Sequence, residues 1–249
     1  EGRVTTLRIR ASAIEHNLCA IRQRTSARII AVVKEDGYGM GLGNARAACL
    51  PCGVDFFAVG TAQEALRLKE MGGEEVLLLT PELCPEALEV LIRRRVLFMV
   101  GSAQQAEALR CAGERAGMAP RVHLKVDTGL GRYGYRWDAL ADVPRDLAGL
   151  CLEGTYTHFA TQTRDYVRVC RRQAARFARA LDELRGMVLA RLPLEARFVG
   201  AGEHQLLEKL LINDGELLLT DWDDLGAAEA LLSRLWCSFR AEGDDWYLT

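Results

Sequence analysis

A chain of 249 residues that is 49% hydrophobic and 27% charged can bury a substantial core, as one large or two small domains. Its 32 basic and 34 acidic residues give a net charge of −2, which offers no electrostatic case for nucleic acid or an anionic membrane as a partner. No run approaches the roughly 18 apolar residues of a membrane-spanning helix, and the polar start lacks the apolar core of a signal peptide. We therefore expect a cytoplasmic protein that acts on a small molecule.

The cysteines do not predict a special site. Eight of them are scattered along a chain too large to need disulfide bonds, which suits a reducing compartment. Cys49 and Cys52 form the one Cys-x-x-Cys pair, and the sequence places no second pair or histidine cluster nearby. We expect neither a metal centre nor a redox centre there.

Apolar, β-branched runs alternate along the chain with segments of helical periodicity. Three segments predict helices, at 61–71, 103–116 and 166–187, because their apolar residues recur at helical spacing. Strands that alternate with helices favour a parallel sheet, and a set of about eight fits the (β/α)8 TIM barrel, an α/β fold of about 250 residues. An open doubly wound sheet is the alternative. The runs that predict strands are 27–34, 56–60, 76–81, 97–102, 122–127, 153–159, 196–199 and 217–220.

The first predicted strand ends on Lys34. Active sites of such barrels lie at the carboxyl ends of the strands, and a buried lysine is costly unless it is paired or neutral. A Schiff base with an aldehyde, of which pyridoxal phosphate (PLP) is the common example, makes it neutral. The alternative is a lysine that extends to solvent. Tyr38 offers a hydroxyl to a phosphate, within a loop whose glycines allow close approach of the backbone to a ligand: Gly37, Gly39, Gly41 and Gly43.

Two further predicted strands end on ionisable residues. Alternation along 122–127 places His123, Lys125 and Asp127 on one face, and a polar network inside the barrel is the alternative explanation for them. Arg132 follows in a glycine-rich turn, where it can bind a phenolate or a carboxylate. His158 ends the next apolar run, although a single histidine there is more often a core residue than a catalytic one.

Three motifs together resemble the alanine racemase family, in the same order along the chain: AVVKEDGYGMG, KVDTGLGRYG and THFA. The similarity extends over about residues 3 to 185. It implies a PLP-binding barrel in which Lys34 forms the internal aldimine and moves the α-proton on one face of the substrate. It further implies that Tyr38 contacts the cofactor phosphate and that Lys125 matches a lysine that is often carbamylated. Arg132 would bind the phenolic oxygen and the substrate carboxylate, and His158 would pack on the pyridine ring.

The carboxyl-terminal part departs from the family pattern. The phosphate-binding Asn-Ser pair of the seventh strand and the Arg-Pro-Gly stretch of the eighth are missing from 195–222, where backbone N–H groups of Gly200 and Gly202 are the remaining phosphate candidates. The family continues into a β-domain whose tyrosine, donated across a dimer interface, is the second acid or base, and no residue here matches it. We expect 1–249 to form a single barrel domain, with a homodimer as its assembly.

The sequence is compatible with three functions. The favoured one is a PLP-dependent racemase that interconverts L- and D-alanine, with weak or no turnover by the isolated chain because the second acid or base is missing. The second is a barrel-only PLP-binding protein without racemase activity. The third is a degenerate scaffold without catalysis, and the joint presence of Lys34, Tyr38, Arg132 and His158 argues against it.

Overall fold

Parallel strands and helices alternate through the part of the chain that the computed structural model describes, which is residues 8–23, 25, 27–160, 166–189, 209–210 and 217–218. The helices are α1 (Ala11–Arg22), α2 (Lys34–Tyr38), α3 (Leu42–Cys49), α4 (Ala62–Met71), α5 (Pro85–Arg93), α6 (Ala103–Ala116), α7 (Val143–Asp146) and α8 (Tyr166–Leu189), with a 3-10 turn at Leu50–Cys52. The strands are β1 (Ile30–Val32), β2 (Phe56–Val59), β3 (Glu75–Leu78), β4 (Leu97–Val100), β5 (Arg121–Asp127), β6 (Tyr135–Arg136), β7 (Cys151–Tyr156), β8 (Lys209–Leu210) and β9 (Leu217–Leu218).

The main sheet is parallel and follows chain order. β1 to β5 pair in sequence, β7 pairs with β5, and the short β6 pairs with the last two residues of β5. The first six predicted strands are confirmed, with ends shifted by up to a few residues. The predicted strand at 196–199 lies outside the described residues.

The last predicted strand pairs differently from the expectation. Leu217–Leu218 pairs antiparallel with Lys209–Leu210, whereas a barrel strand would pair in parallel. Parallel pairing needs a crossover of a dozen or more residues, and Leu210 and Leu217 are only seven positions apart in the sequence.

Two apolar layers lie on opposite sides of the sheet, because alternate residues of each strand face opposite ways. The layer under the helices is the larger and includes Ala31, Phe57 and Leu78. The inner layer fills the centre of the barrel, and its members sit at every second position of their strands. They are Ile30, Val32, Phe56, Ala58, Leu77, Leu97, Met99 and Tyr156.

Local signals fix where the longer helices begin and end. Thr61 caps α4 by accepting the backbone N–H of Glu64, and the Glu64 side chain completes a capping box. Ser102 caps α6 in the same way, and Gly117 ends α6 in the left-handed conformation. No helix in the described part of the chain combines the length and the apolar content needed to cross a bilayer.

Candidate active site

A cavity of about 270 Å³ opens at the carboxyl ends of the parallel strands. This is the end of a barrel where catalytic residues lie. Amine, guanidinium, imidazole, hydroxyl and carboxylate groups share the cavity wall with apolar side chains of the inner layer. The lining residues are Val32, Lys34, Glu35, Gly60, Leu79, Thr80, Lys125, Arg132, Tyr133, Tyr156 and His158.

Lys34 lies just beyond the end of β1 and continues the inward-facing alternation of Ile30 and Val32 into the cavity. Its side chain is half-buried, and its nitrogen lies 5.7 Å from the centre of the Tyr38 ring. An ideal Cβ on Gly60 would lie 3.3 Å from the Lys34 Cβ, so β2 passes close to the lysine because position 60 is a glycine. The backbone that follows β2 therefore passes close to the start of the lysine side chain.

The chain turns left-handed directly after the lysine. Glu35, Asp36 and Tyr38 have φ angles of 54°, 53° and 54°, in a region that costs a residue other than glycine roughly 1–2 kcal/mol. Gly37 is also left-handed, and a Cβ at that position would approach the Ala45 Cβ to 2.9 Å. Backbone strain of this kind persists only where the surroundings hold it, and it concentrates at functional sites.

Three of the four glycines lie in the loop, and their close approach to a ligand stays a prediction. Gly37, Gly39 and Gly41 have positive φ angles. Gly43 was expected in the loop, and this is wrong: it lies inside α3, which begins one residue earlier. The ring of Tyr38 packs below the lysine amine, and its contact with a cofactor phosphate stays a prediction.

The inward face of β5 carries two buried ionisable residues. His123 and Lys125 are 1% and 4% exposed. The His123 ring meets Phe56 edge-on, with 6.1 Å between ring centres. The Lys125 nitrogen lies 5.9 Å from the centre of the Tyr133 ring and 5.6 Å from that of Tyr156. Aromatic faces stabilise a desolvated ammonium group, which is consistent with a lysine at this depth.

Asp127, the third ionisable residue predicted for this face, binds the loop at the end of β5. It is half-buried, and its Oδ1 accepts the backbone N–H groups of Gly129 at 2.9 Å and Gly131 at 3.1 Å. The residue thereby shapes the loop that carries Arg132. Its place on the same face as His123 and Lys125, pointing into the barrel or its mouth, stays a prediction.

Arg132 and His158 meet at the cavity although they are far apart in sequence. The Arg132 Nη2 donates to the His158 Nδ1 over 3.1 Å. Because a guanidinium only donates, this bond assigns the imidazole proton to Nε2. Arg132 is exposed, whereas His158 is 5% exposed. The predicted pair is thus brought together, while the roles assigned to it stay predictions.

Gln173 of α8 holds the two segments that carry this pair. It is 2% exposed, its Nε2 donates to Thr128 Oγ1 and to the His158 carbonyl oxygen at 3.1 Å each, and its Oε1 accepts the Ala160 N–H at 2.9 Å. Arg176, on the next turn of α8, donates to the Thr128 carbonyl oxygen at 2.7 Å. The outer helix therefore fixes the backbone on both sides of the Arg132–His158 contact.

Tyr156 is the buried cavity residue that sequence reasoning missed. It pairs with Lys125 across β5 and β7, so the strand register that places one in the cavity also places the other there. Burial raises the pKa of the Tyr156 phenol far above its usual value, with a smaller opposing effect of Arg132. Loss of the hydroxyl proton is therefore more costly here than for an exposed tyrosine. Thr80, Glu35 and Tyr133 line the cavity and were also missed, whereas Gly200 and Gly202 lie outside the described residues.

The family model for the alanine racemase N-terminal domain matches residues 9–194 of this chain. The chain belongs to the alanine racemase family. The alanine racemase of Deinococcus radiodurans is 39% identical over 179 residues, which are 71% of this chain and 49% of that protein. The resemblance read from the three motifs is thereby confirmed.

Solved structures of racemases share the fold. The alanine racemase of Clostridium difficile in complex with cycloserine matches with a TM-score of 0.64 and 26% identity, over 71% of this chain and 50% of that one. A histidine racemase from Leuconostoc mesenteroides subsp. sake matches with a TM-score of 0.58 and 25% identity, over 74% of this chain and 49% of that one. The α/β barrel expected from the sequence is confirmed, in preference to the open sheet.

The chain spans about half the length of the relatives it matches. Enzymes of the alanine racemase family use PLP. The cavity offers the chemistry that PLP needs: a primary amine for its aldehyde, a guanidinium for an anionic oxygen and a flat imidazole. The described part of the site therefore fits the cofactor.

Proposed function

We propose that this chain is the PLP-binding barrel of an amino-acid racemase that interconverts L- and D-alanine. The observation that carries the proposal is the position of Lys34, whose amine enters a cavity shared with the Arg132–His158 contact at the carboxyl ends of the strands. The family motif around the lysine supports the same assignment. Alanine is proposed from the relatives, and the histidine racemase among them makes the substrate side chain a point to test.

Four side chains in and around the cavity have a proposed task. When bound, PLP disperses the negative charge that the substrate Cα acquires as its proton leaves. The Lys34 amine binds the cofactor aldehyde and carries the α-proton on one face. Arg132 binds an anionic oxygen of the cofactor or the substrate carboxylate. His158 presents its ring as a packing surface, and Tyr38 and the backbone of Gly200 and Gly202 are proposed to hold the phosphate.

Racemisation needs a second proton-transfer group on the opposite face of the substrate. Tyr156 is a poor candidate for the base, because burial raises the pKa of its phenol and so makes the phenolate harder to form. We propose that the second group comes from beyond the described residues, in a homodimer located in the cytoplasm. In this arrangement the barrel binds PLP without help from the second group.

The chain offers a direct test, because it has four lysines: Lys34, Lys69, Lys125 and Lys209. The protein is mixed with PLP, reduced with borohydride and digested, and the modified lysine is identified by mass spectrometry. We expect the adduct on Lys34, its loss in Lys34→Ala, and its retention in Lys69→Arg, since Lys69 bonds the Glu74 carbonyl oxygen away from the cavity.

Two results separate the candidate functions. An adduct on Lys34 with racemisation of L-alanine, followed by chiral chromatography, supports the proposal. An adduct on Lys34 without racemisation and without exchange of the alanine α-hydrogen for solvent deuterium favours the barrel-only PLP-binding protein, because the Lys34 amine of a racemase would exchange that hydrogen even without the second group. An adduct that persists in Lys34→Ala, or no adduct in the unchanged protein, would refute the assignment of Lys34.

A further inference from the structure

Two strand-to-helix junctions of this chain have nearly the same sequence. Residues 59–65 read VGTAQEA and residues 100–106 read VGSAQQA. In each, a hydroxyl residue caps the helix and the third helical residue is a buried polar one, Glu64 in α4 and Gln105 in α6. The pair provides an internal comparison, because the junctions differ mainly at that buried residue.

Among the described residues, the hydrogen bonds of Gln105 all lie within its own junction. Its Oε1 accepts the Gly101 N–H at 2.8 Å, and its own backbone N–H donates to Ser102 Oγ at 3.3 Å. A single amide oxygen is thus sufficient to hold the end of a strand against the start of a helix.

Glu64 accepts an additional hydrogen bond from a residue outside its own junction. Its Oε2 accepts the N–H groups of Gly60 and Thr61, both at 3.0 Å, which is the local task that Gln105 performs in α6. Its Oε1 accepts the N–H of Asp36 at 2.8 Å. Asp36 lies in the left-handed turn that follows Lys34, with a φ angle of 53°. The second oxygen therefore joins α4 to the strained turn.

We infer that Glu64 is a positioning residue that holds the left-handed turn and, through it, the Lys34 amine in the cavity. Two features support this. Three backbone donors converge on one side chain that is 7% exposed, and only a carboxylate offers two acceptor oxygens for them. Bonds from backbone N–H groups to a carboxylate are also stronger than neutral ones, as a strained turn requires. The consequence for PLP rests on the function proposed above, whereas the hold on the turn does not.

The test compares Glu64→Gln with Gln105→Ala. Glu64→Gln keeps one acceptor for the capping box and removes the acceptor of the Asp36 N–H, whereas Gln105→Ala removes a capping acceptor that does not reach the turn. Exchange of the Asp36 amide hydrogen is followed by NMR in the cofactor-free protein. The PLP concentration that gives half-maximal borohydride-trapped adduct on Lys34 is then measured for each protein.

We expect Asp36 exchange to be about 10-fold faster or more in Glu64→Gln, because a hydrogen bond to a charged acceptor is lost, and unchanged in Gln105→Ala. The half-maximal PLP concentration should rise by a similar factor in Glu64→Gln alone. Equal Asp36 exchange in Glu64→Gln and the unchanged protein overturns the inference, as does equal PLP uptake. If the unchanged protein takes up no PLP while Asp36 exchange still responds, the proposed function fails and the hold of Glu64 on the turn stands.

Discussion

Replacement of Gly101 by alanine should destabilise the protein through a single steric contact. Gly101 follows β4, and an ideal Cβ there would lie 2.6 Å from the backbone nitrogen of Gly134 and 2.8 Å from its Cα. Ordinary contacts between such atoms are about 3.5 Å, so one segment must move by close to 1 Å. Gly134 has little room to move, because a Cβ on its own Cα would approach the Asp127 nitrogen to 2.9 Å.

The magnitude follows from what blocks the methyl group. Because the obstacle is backbone, a change of rotamer cannot relieve the overlap, and overpacking of this kind costs about 1–3 kcal/mol. For a domain of this size each kcal/mol lowers the melting temperature by about 2–4 °C. We therefore expect Gly101→Ala to unfold about 2–12 °C below the unchanged protein when melting is followed by circular dichroism.

Gly73→Ala is the matched control. A Cβ at Gly73 would meet nothing within 4 Å, and its φ angle is not in the left-handed region. The same exchange there should leave the melting temperature unchanged or raise it slightly, because alanine lowers the entropy of the unfolded chain. Equal melting temperatures for Gly101→Ala and Gly73→Ala would refute the argument from close approach of the two loops.

Two further predictions concern groups away from the cavity. Arg121 pairs with Glu75 at 2.8 Å and Glu153 at 2.5 Å and its side chain is 16% exposed, so Arg121→Met should lower the free energy of unfolding in urea by about 1–3 kcal/mol. Equal free energies of unfolding for Arg121→Met and the unchanged protein would refute the argument from these ion pairs. Burial and the neighbouring Cys52 raise the pKa of Cys49 to about 11, so iodoacetamide at pH 8 should label the exposed Cys19 and spare Cys49 in the native protein. Because the pKa is raised in the folded protein, its contribution to the free energy of unfolding is fully present below about pH 9 and is lost as the pH rises through 11. Rapid labelling of Cys49 at pH 8 would contradict the raised pKa.

The strands were predictable because they are buried on both faces, whereas their ends were not. The run 27–34 is apolar almost throughout, yet β1 is only Ile30–Val32, since pairing extends only as far as Phe56–Ala58 of the neighbouring strand. The position of Lys34 beyond this strand followed from the same pattern. Local sequence therefore located the lysine without defining the exact limits of the strand before it.

The parts of the site that depend on distant contacts could not be predicted. Glu35 and Tyr38 do not favour a left-handed turn, and the bond from Asp36 to Glu64 connects residues far apart in sequence. The Thr-x-x-Glu pattern marks the start of α4, but it does not reveal that the second carboxylate oxygen reaches another loop. Tyr156 was missed because its place in the cavity depends on the register of β7 against β5.

The inward alternation that ends on Lys34 constrains how this segment can change during evolution. Ile30 and Val32 each tolerate exchange for another apolar residue of similar volume, because both supply apolar packing, Ile30 in the barrel centre and Val32 also in the cavity wall. Insertion or deletion of one residue between Ile30 and Lys34 would instead move the amine from the cavity to the layer under the helices, since side chains alternate between the two faces. The length of β1 should therefore vary far less among descendants of this sequence than the identity of its residues.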